Sequence, residues 1–131
     1  MPFVPICVAT REVGALRDAA AQIAEQVAGH AVALVASSDF THYEPQKAAE
    51  EKDRRAMERI LQLDVAGFLE MVRSQRLSIC GAGAIALLML LGQQCGWENG
   101  TCLHYTTSGD VTGERDAVVG YAALGWEEAD G

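Results

Sequence analysis

Three side chains in this sequence could act on one reacting atom. Asp39 and His42 lie three residues apart in AVALVASSDFTHY, residues 31–43, and Cys80 lies in SICG, residues 78–81. A carboxylate and an imidazole at that spacing can orient one another or share a proton. Cys80 stands just before a run of Gly and Ala that reads as the start of a helix. Backbone N–H groups and the helix dipole there favour a thiolate, the form that binds metals and attacks electrophiles. Two mechanisms fit the trio. In one, Cys80 binds a redox metal while His42 and Asp39 handle protons. In the other, Cys80 is a nucleophile, His42 its base and Asp39 the orienting group. A plain structural reading stands beside both, with Ser37 and Asp39 capping a loop, His42 packed and Cys80 a small buried residue.

The elements that must hold these residues can be read from periodicity. Ala31 to Ala36 is a run of six apolar residues, which reads as a strand buried on both faces within a parallel sheet. Ligands collect beyond the carboxyl ends of such strands, where Asp39 and His42 stand. Phe3 to Val8 reads as a first strand, with Pro2 and Pro5 marking an edge or an irregular start. Between the two, Val13, Leu16, Ala20, Ile23, Ala24 and Val27 recur at helical spacing, so residues 12–28 form a helix ended by Gly29, and the three elements make a crossover unit.

A charged helix is expected from Lys47 to Leu61, with Lys47 and Glu51, and Glu50 and Arg54, spaced for ion pairs. Its inner stripe of Ala49, Ala56, Met57 and Ile60 also carries Asp53, which must find a basic or amide partner near the loop or else be wetted. Asp64 reads as the N-cap of a second helix to Ser74, with Phe68, Leu69 and Val72 inside. Residues 84–94 form a third helix that is apolar almost all round and expects cover on every side. Strands follow at Thr101–Thr107 and Ala117–Leu124, joined by a turn at Ser108–Arg115 in which Asp110 or Ser108 could border a site. Residues 127–131 are expected to fray.

At 131 residues and half apolar, the chain suits one domain with an ordinary core. A net charge of −8 with ten scattered Lys and Arg residues argues against nucleic acid as a partner. The start MPFVPICVAT lacks basic residues before its apolar run and reads poorly as a signal peptide. The longest apolar run, Ala82 to Leu91, is short of the roughly 20 residues a membrane span needs. The expectation is a cytoplasmic protein with reduced cysteines. Of the four, Cys7, Cys95 and Cys102 are expected as small core residues. His30 reads as a helix-end or turn residue, and His104 as a packed or surface histidine.

SSDFTHY after an apolar strand, Asp53 within EKDRRAMERILQLD, then SICGAGAI, then HYTTSGDVTGERDAVVGYAAL together resemble the Memo family. This is protein B of the AmmeMemoRadiSam system, similar in fold to class III extradiol dioxygenases. The resemblance covers nearly the whole chain but only the back half of the family's pattern. It implies an α/β fold, a central mixed sheet with helices on both faces. It also implies a metal centre like the non-haem iron site of those dioxygenases, holding iron or copper. In that family two front-half histidines and the cysteine of the ICG motif hold the metal, so Cys80 is the implied ligand here. Asp39 and His42 line the same pocket, His42 as the proton-handling residue. The front-half histidines have no counterpart, and neither His30 nor His104 stands where it could replace them. The chain is therefore expected to be the C-terminal part of a metal-dependent redox protein, acting on an unknown small molecule. A separate front half or a second copy would complete the site. The rival expectation is a non-enzymatic binding or adaptor module of the same fold.

Overall fold

A computed structural model describes residues 1–129. Five helices and a three-stranded antiparallel sheet give an α/β fold. The first helix, α1 (Val13–Val27), begins where the Glu12 carboxylate accepts the N–H groups of Gly14 and Ala15 at 2.8 and 2.7 Å. It ends before Gly29, whose φ of +77° turns the chain away. Leu16 and Ala20 are its buried residues, and they face α4 (Ala82–Cys95).

Helix α2 (Gln46–Leu61) buries Ala49, Asp53, Ala56, Met57 and Ile60, the stripe that its spacing predicts. Its ion pairs differ from expectation. Arg54 turns to Glu58 at 2.9 Å, Gln46 donates to Glu50, and Lys52 reaches Glu44. Helix α3 (Val65–Ser74) is capped by Asp64, whose carboxylate accepts the Gly67 N–H at 3.0 Å, and it buries Val65, Phe68 and Val72. Helix α4 starts two residues earlier than expected. All of its residues from Ala82 to Gly92 are buried except Ala84 and Leu88, which are half-buried. Most of the cover that this apolar helix requires comes from α1, α3 and the sheet of its own chain. No helix among the described residues is long and apolar enough to cross a membrane.

Strands β2 (Trp97–Thr107) and β3 (Val118–Glu128) pair antiparallel along nearly their whole length. The short β1 (His42–Glu44) pairs antiparallel with the other side of β3, giving the order β1-β3-β2. The sheet is thus antiparallel, not mixed. The expected fraying from 127 is corrected by Glu127 and Glu128, which pair with Glu98 and Trp97; residues 130 and 131 lie outside the described residues. Stacking of Trp97 on Trp126, with ring centroids 5.8 Å apart, holds that end of the ribbon. The expected turn at 108–115 contains a helical turn, α5 (Ser108–Thr112). Ser108 and Asp110 serve it structurally: Ser108 Oγ accepts the Val119 N–H at 3.0 Å, and Asp110 accepts the Thr107 N–H at 3.0 Å.

The two expected parallel strands are the main correction. Neither Phe3–Val8 nor Ala31–Ala36 forms a strand, and the crossover unit has no sheet on either side of α1. A strand exists only against a hydrogen-bonding neighbour, and no described residue offers one to either segment. Most of their side chains are exposed instead, Phe3 and Val35 at 85% each, while Val8, Leu34 and Ala36 are partly buried against the core. Cys7 and Cys102 are likewise exposed and Cys95 half-buried, so none is the buried core residue expected; all four thiols are free.

Candidate metal-directed site

The structure gathers Asp39, His42 and Cys80 at one place, with one donor atom of each within 4.8 Å of the others. Three local arrangements bring them there. The chain between 38 and 42 joins the sheet at Gly120, whose carbonyl accepts the Phe40 N–H and whose N–H donates to the Thr41 carbonyl, both at 2.9 Å. Tyr43 then takes a φ of +57°, a left-handed conformation that a non-glycine residue adopts at some cost. It bulges β1, so that His42 and Glu44 oppose the adjacent residues Val119 and Val118. Cys80 is delivered by the turn before α4.

His42 is fixed at its backbone and its ring by one residue. Its N–H donates to Ser78 Oγ at 2.9 Å, and its Nδ1 lies 2.7 Å from the Ser78 carbonyl oxygen. A carbonyl can only accept, so Nδ1 carries the proton and Nε2 of the neutral ring presents a lone pair. Nε2 is 3.5 Å from Asp39 Oδ2, and the two side chains are 24% and 49% exposed. A proton or a cation arriving at Nε2 therefore meets a carboxylate and remains open to solvent.

Cys80 is exposed, and its Sγ lies 3.7 Å from Ser38 Oγ. Ser38 also accepts the Gly81 N–H at 2.8 Å and donates to the Asp39 carbonyl at 2.8 Å, which ties the start of α4 to the loop. No hydrogen bond joins the thiol to His42 among the described residues. The contact that a thiol–imidazole nucleophile requires is not made, whereas three convergent donors of sulfur, nitrogen and oxygen type suit a metal ion.

Asp53 resolves as a buried carboxylate, 1% exposed, whose partners are an amide and two hydroxyls rather than a cation. Its Oδ1 accepts the Thr41 N–H at 3.0 Å and the Thr41 hydroxyl at 2.6 Å, and its Oδ2 accepts the Tyr105 hydroxyl at 2.5 Å. Burial, then the hydrogen bond to Asp53 and its charge, push the Tyr105 phenol well above its ordinary range, so it stays a donor. His30 and His104 are both exposed and do not join the cluster. Sequence reasoning missed Ser78 and Tyr105. The only signal for either was a polar group placed inside or beside an apolar run. A small apolar cleft of about 70 Å³ lies beside Ser38, lined by Phe40, Leu88 and Trp126 among others. That is far below the several hundred Å³ of a small-molecule pocket.

The motifs that meet here were those that resembled the Memo family, and comparison with known proteins agrees. A family model described as Memo-like protein matches residues 1–125. A MEMO1 family protein of Methanopyrus kandleri is 42% identical over 125 residues, covering 93% of this chain and 44% of its own length. One from Methanosarcina barkeri is 39% identical over 124 residues, covering 93% of this chain and 47% of its own. One from Nitrosopumilus maritimus is 42% identical over 118 residues, covering 83% and 42%. The chain spans somewhat less than half the length of these curated relatives. With the match running from the exposed first segment through the site to β3, this chain belongs to the Memo-like family.

Proposed function

We propose that this chain supplies the cysteine side of a metal-dependent redox centre, with Cys80 as a ligand to iron or copper and Asp39 and His42 as the acid and base beside it. The convergence of three donor atoms within 4.8 Å supports this reading. A thiolate beside imidazole nitrogen suits copper or iron better than magnesium or calcium. Bound there, such an ion would supply one-electron or oxygen chemistry. The chain's own contribution is to hold the ion through Cys80 Sγ and to move a proton at His42 Nε2, with Asp39 stabilising the imidazolium. Ser78, bonded to Nδ1, keeps that nitrogen protonated and leaves Nε2 as the working atom.

A catalytic metal site ordinarily takes three protein ligands. We read the remaining ligands as coming from a further polypeptide, either the part of a Memo-like protein outside the match or a second copy of this chain. A second reading is a non-enzymatic binding module of the same fold. The exposed apolar side chains of Phe3, Val4, Val32 and Val35, which a partner could cover without any metal, favour it.

Elemental analysis of the reduced, anaerobically prepared chain after incubation with iron(II) separates the two. Metal retained by the parent chain and by His42→Ala at reduced affinity, and lost in Cys80→Ala, is the expected result. Equal retention in Cys80→Ala would overturn the assignment, and a partner interaction indifferent to chelators would favour the binding module. Alkylation of Cys80 that runs fast near neutral pH, with a hydrolytic activity surviving chelation, would favour the nucleophile instead.

A further inference from the structure

We propose that Asp53 is the positioning residue of this site, holding Asp39 and His42 in place through Thr41, and that Tyr105 in turn holds Asp53. The inference rests on the metal-directed reading of the site for its chemistry, though not for its geometry. Asp53 occupies a place on α2 that is otherwise apolar, among Ala49, Ala56, Met57 and Ile60. Burying a carboxylate with no cation against it is costly, and an apolar side chain there would serve packing better. What the carboxylate does is bond a single residue twice. Both the N–H and the hydroxyl of Thr41 donate to Oδ1. Thr41 adjoins His42 and stands two residues after Asp39, so fixing it fixes the backbone from which both side chains leave.

The sheet is shaped to allow this reach. Gly120 of β3 lies beside the carboxylate and the loop, and a Cβ on it would fall 2.0 Å from Asp53 Oδ2 and 3.0 Å from the Tyr105 hydroxyl. The same glycine makes both backbone bonds to Phe40 and Thr41. A hydrogen-bonded column thus runs from β2 through Tyr105, Asp53 and Thr41 to the loop, and Gly120 leaves the space for it. Residues that orient ligands in this way commonly affect metal affinity by about ten- to a hundredfold when replaced.

The test uses the full chain in four forms: the parent, Asp53→Asn, Tyr105→Phe, and Val72→Ala as a core variant outside the site. Two quantities are read. One is amide hydrogen exchange at Phe40 and His42, which flank Thr41. The other is cobalt(II) affinity, followed by the thiolate-to-metal absorption band under reducing, anaerobic conditions. The expected result is that Asp53→Asn speeds exchange at both amides by about tenfold relative to Val72→Ala and weakens cobalt binding by about tenfold, while Val72→Ala binds like the parent. Tyr105→Phe, which leaves the Thr41 contacts in place, should move both in the same direction by less. Exchange at Phe40 and His42 that matches Val72→Ala would overturn the proposal. So would cobalt binding by Asp53→Asn as tight as the parent's. If the parent itself shows no thiolate band, this chain does not hold the ion without its further ligands. Exchange at the two amides then decides the positioning role by itself.

Discussion

Ser38 has one hydroxyl proton and two acceptors that can use it. With Cys80 as a thiol, the serine donates to the Asp39 carbonyl, and the thiol proton can point at Ser38 Oγ. The same oxygen accepts the Gly81 N–H, so Ser38 ties the turn that carries Cys80 to the loop that carries Asp39. Ser38→Ala leaves the part-buried Gly81 N–H without its partner, and the expected loss of stability is about 1–3 kcal/mol. Denaturant unfolding at unchanged m-value measures it; an unmoved midpoint would mean that water replaces the hydroxyl fully. A second residue-scale test concerns Asp110. Its carboxyl is held at about 2 rather than 3.8, first by the Thr107 N–H, then by the Gln46 amide and the Thr106 hydroxyl, with Arg115 adding to them. A carboxyl whose value is lower in the folded state stabilises the fold above its ordinary value and loses that contribution as pH falls. The window here runs from 3.8 down to about 2. Asp110→Asn should therefore flatten the fall of stability across that window, and an unchanged slope would show that its bonds persist in the unfolded chain. The clustering of Asp39, His42 and Cys80 was legible because the first two are local in sequence and Cys80 abuts a helix start. Ser78 and Tyr105 were not, because their partners lie 36 and 52 residues away and nothing local marks the pairing.

Among the elements, α4 shows how closely the helices and the loop are fitted. A Cβ added at Gly81 would lie 2.6 Å from Ser38 Cβ and 2.9 Å from the Ser37 carbonyl oxygen, a backbone atom that cannot swing away. Gly81→Ala is therefore expected to destabilise by about 1–3 kcal/mol and to displace Cys80 from the cluster. Thermal unfolding checks the first effect, and loss of cobalt(II) binding beyond that of an equally destabilised core variant checks the second. The four long helices were legible because each carries its own signal: a stripe at 3.6-residue spacing, a capping Asp64, a terminating Gly29 or Gly96. Strands carry only half of theirs. Thr101–Thr107 and the segment after Ala117 found each other, and continued further than expected because the Trp97–Trp126 stack supports the far end. Phe3–Val8 and Ala31–Ala36 read as strands equally well and have no neighbour among the described residues. The apolar pattern reports what a segment needs, and pairing depends on what is present to meet it.

At the scale of the whole molecule, the two unpaired segments both lead towards the neighbourhood of the site. Residues 31–36 lead directly into Ser38 and Asp39. Val8 and Thr10 pack where a Cβ on Gly83 would sit, at the same end of α4 that carries Cys80. Phe3, Val4, Ile6, Val32 and Val35 are all more than half exposed, and each would contribute about 1.5–3 kcal/mol on burial. The backbone groups of the two segments, which make no backbone hydrogen bonds among the described residues, add the capacity for strand addition, which supplies hydrogen bonds as well as apolar contact. A partner that offered strands to both segments would therefore arrive within reach of Asp39, His42 and Cys80, where the proposed metal centre would need further ligands. The curated relatives are more than twice as long as the region they share with this chain, so each contains a stretch that can be tried in that role. The experiment mixes this chain with the part of the Methanopyrus kandleri relative that lies outside the match, and follows amide exchange from 3 to 8 and from 31 to 36. Exchange near unprotected rates in the chain alone, slowing by at least tenfold on mixing together with a gain in iron(II) affinity lost in Cys80→Ala, is the expected outcome. Protection that appears with rising concentration of this chain alone would assign the cover to a second copy. Exchange that stays fast in every mixture would mean that the exposed segments serve neither, and the site would have to be judged on the ligands this chain holds by itself.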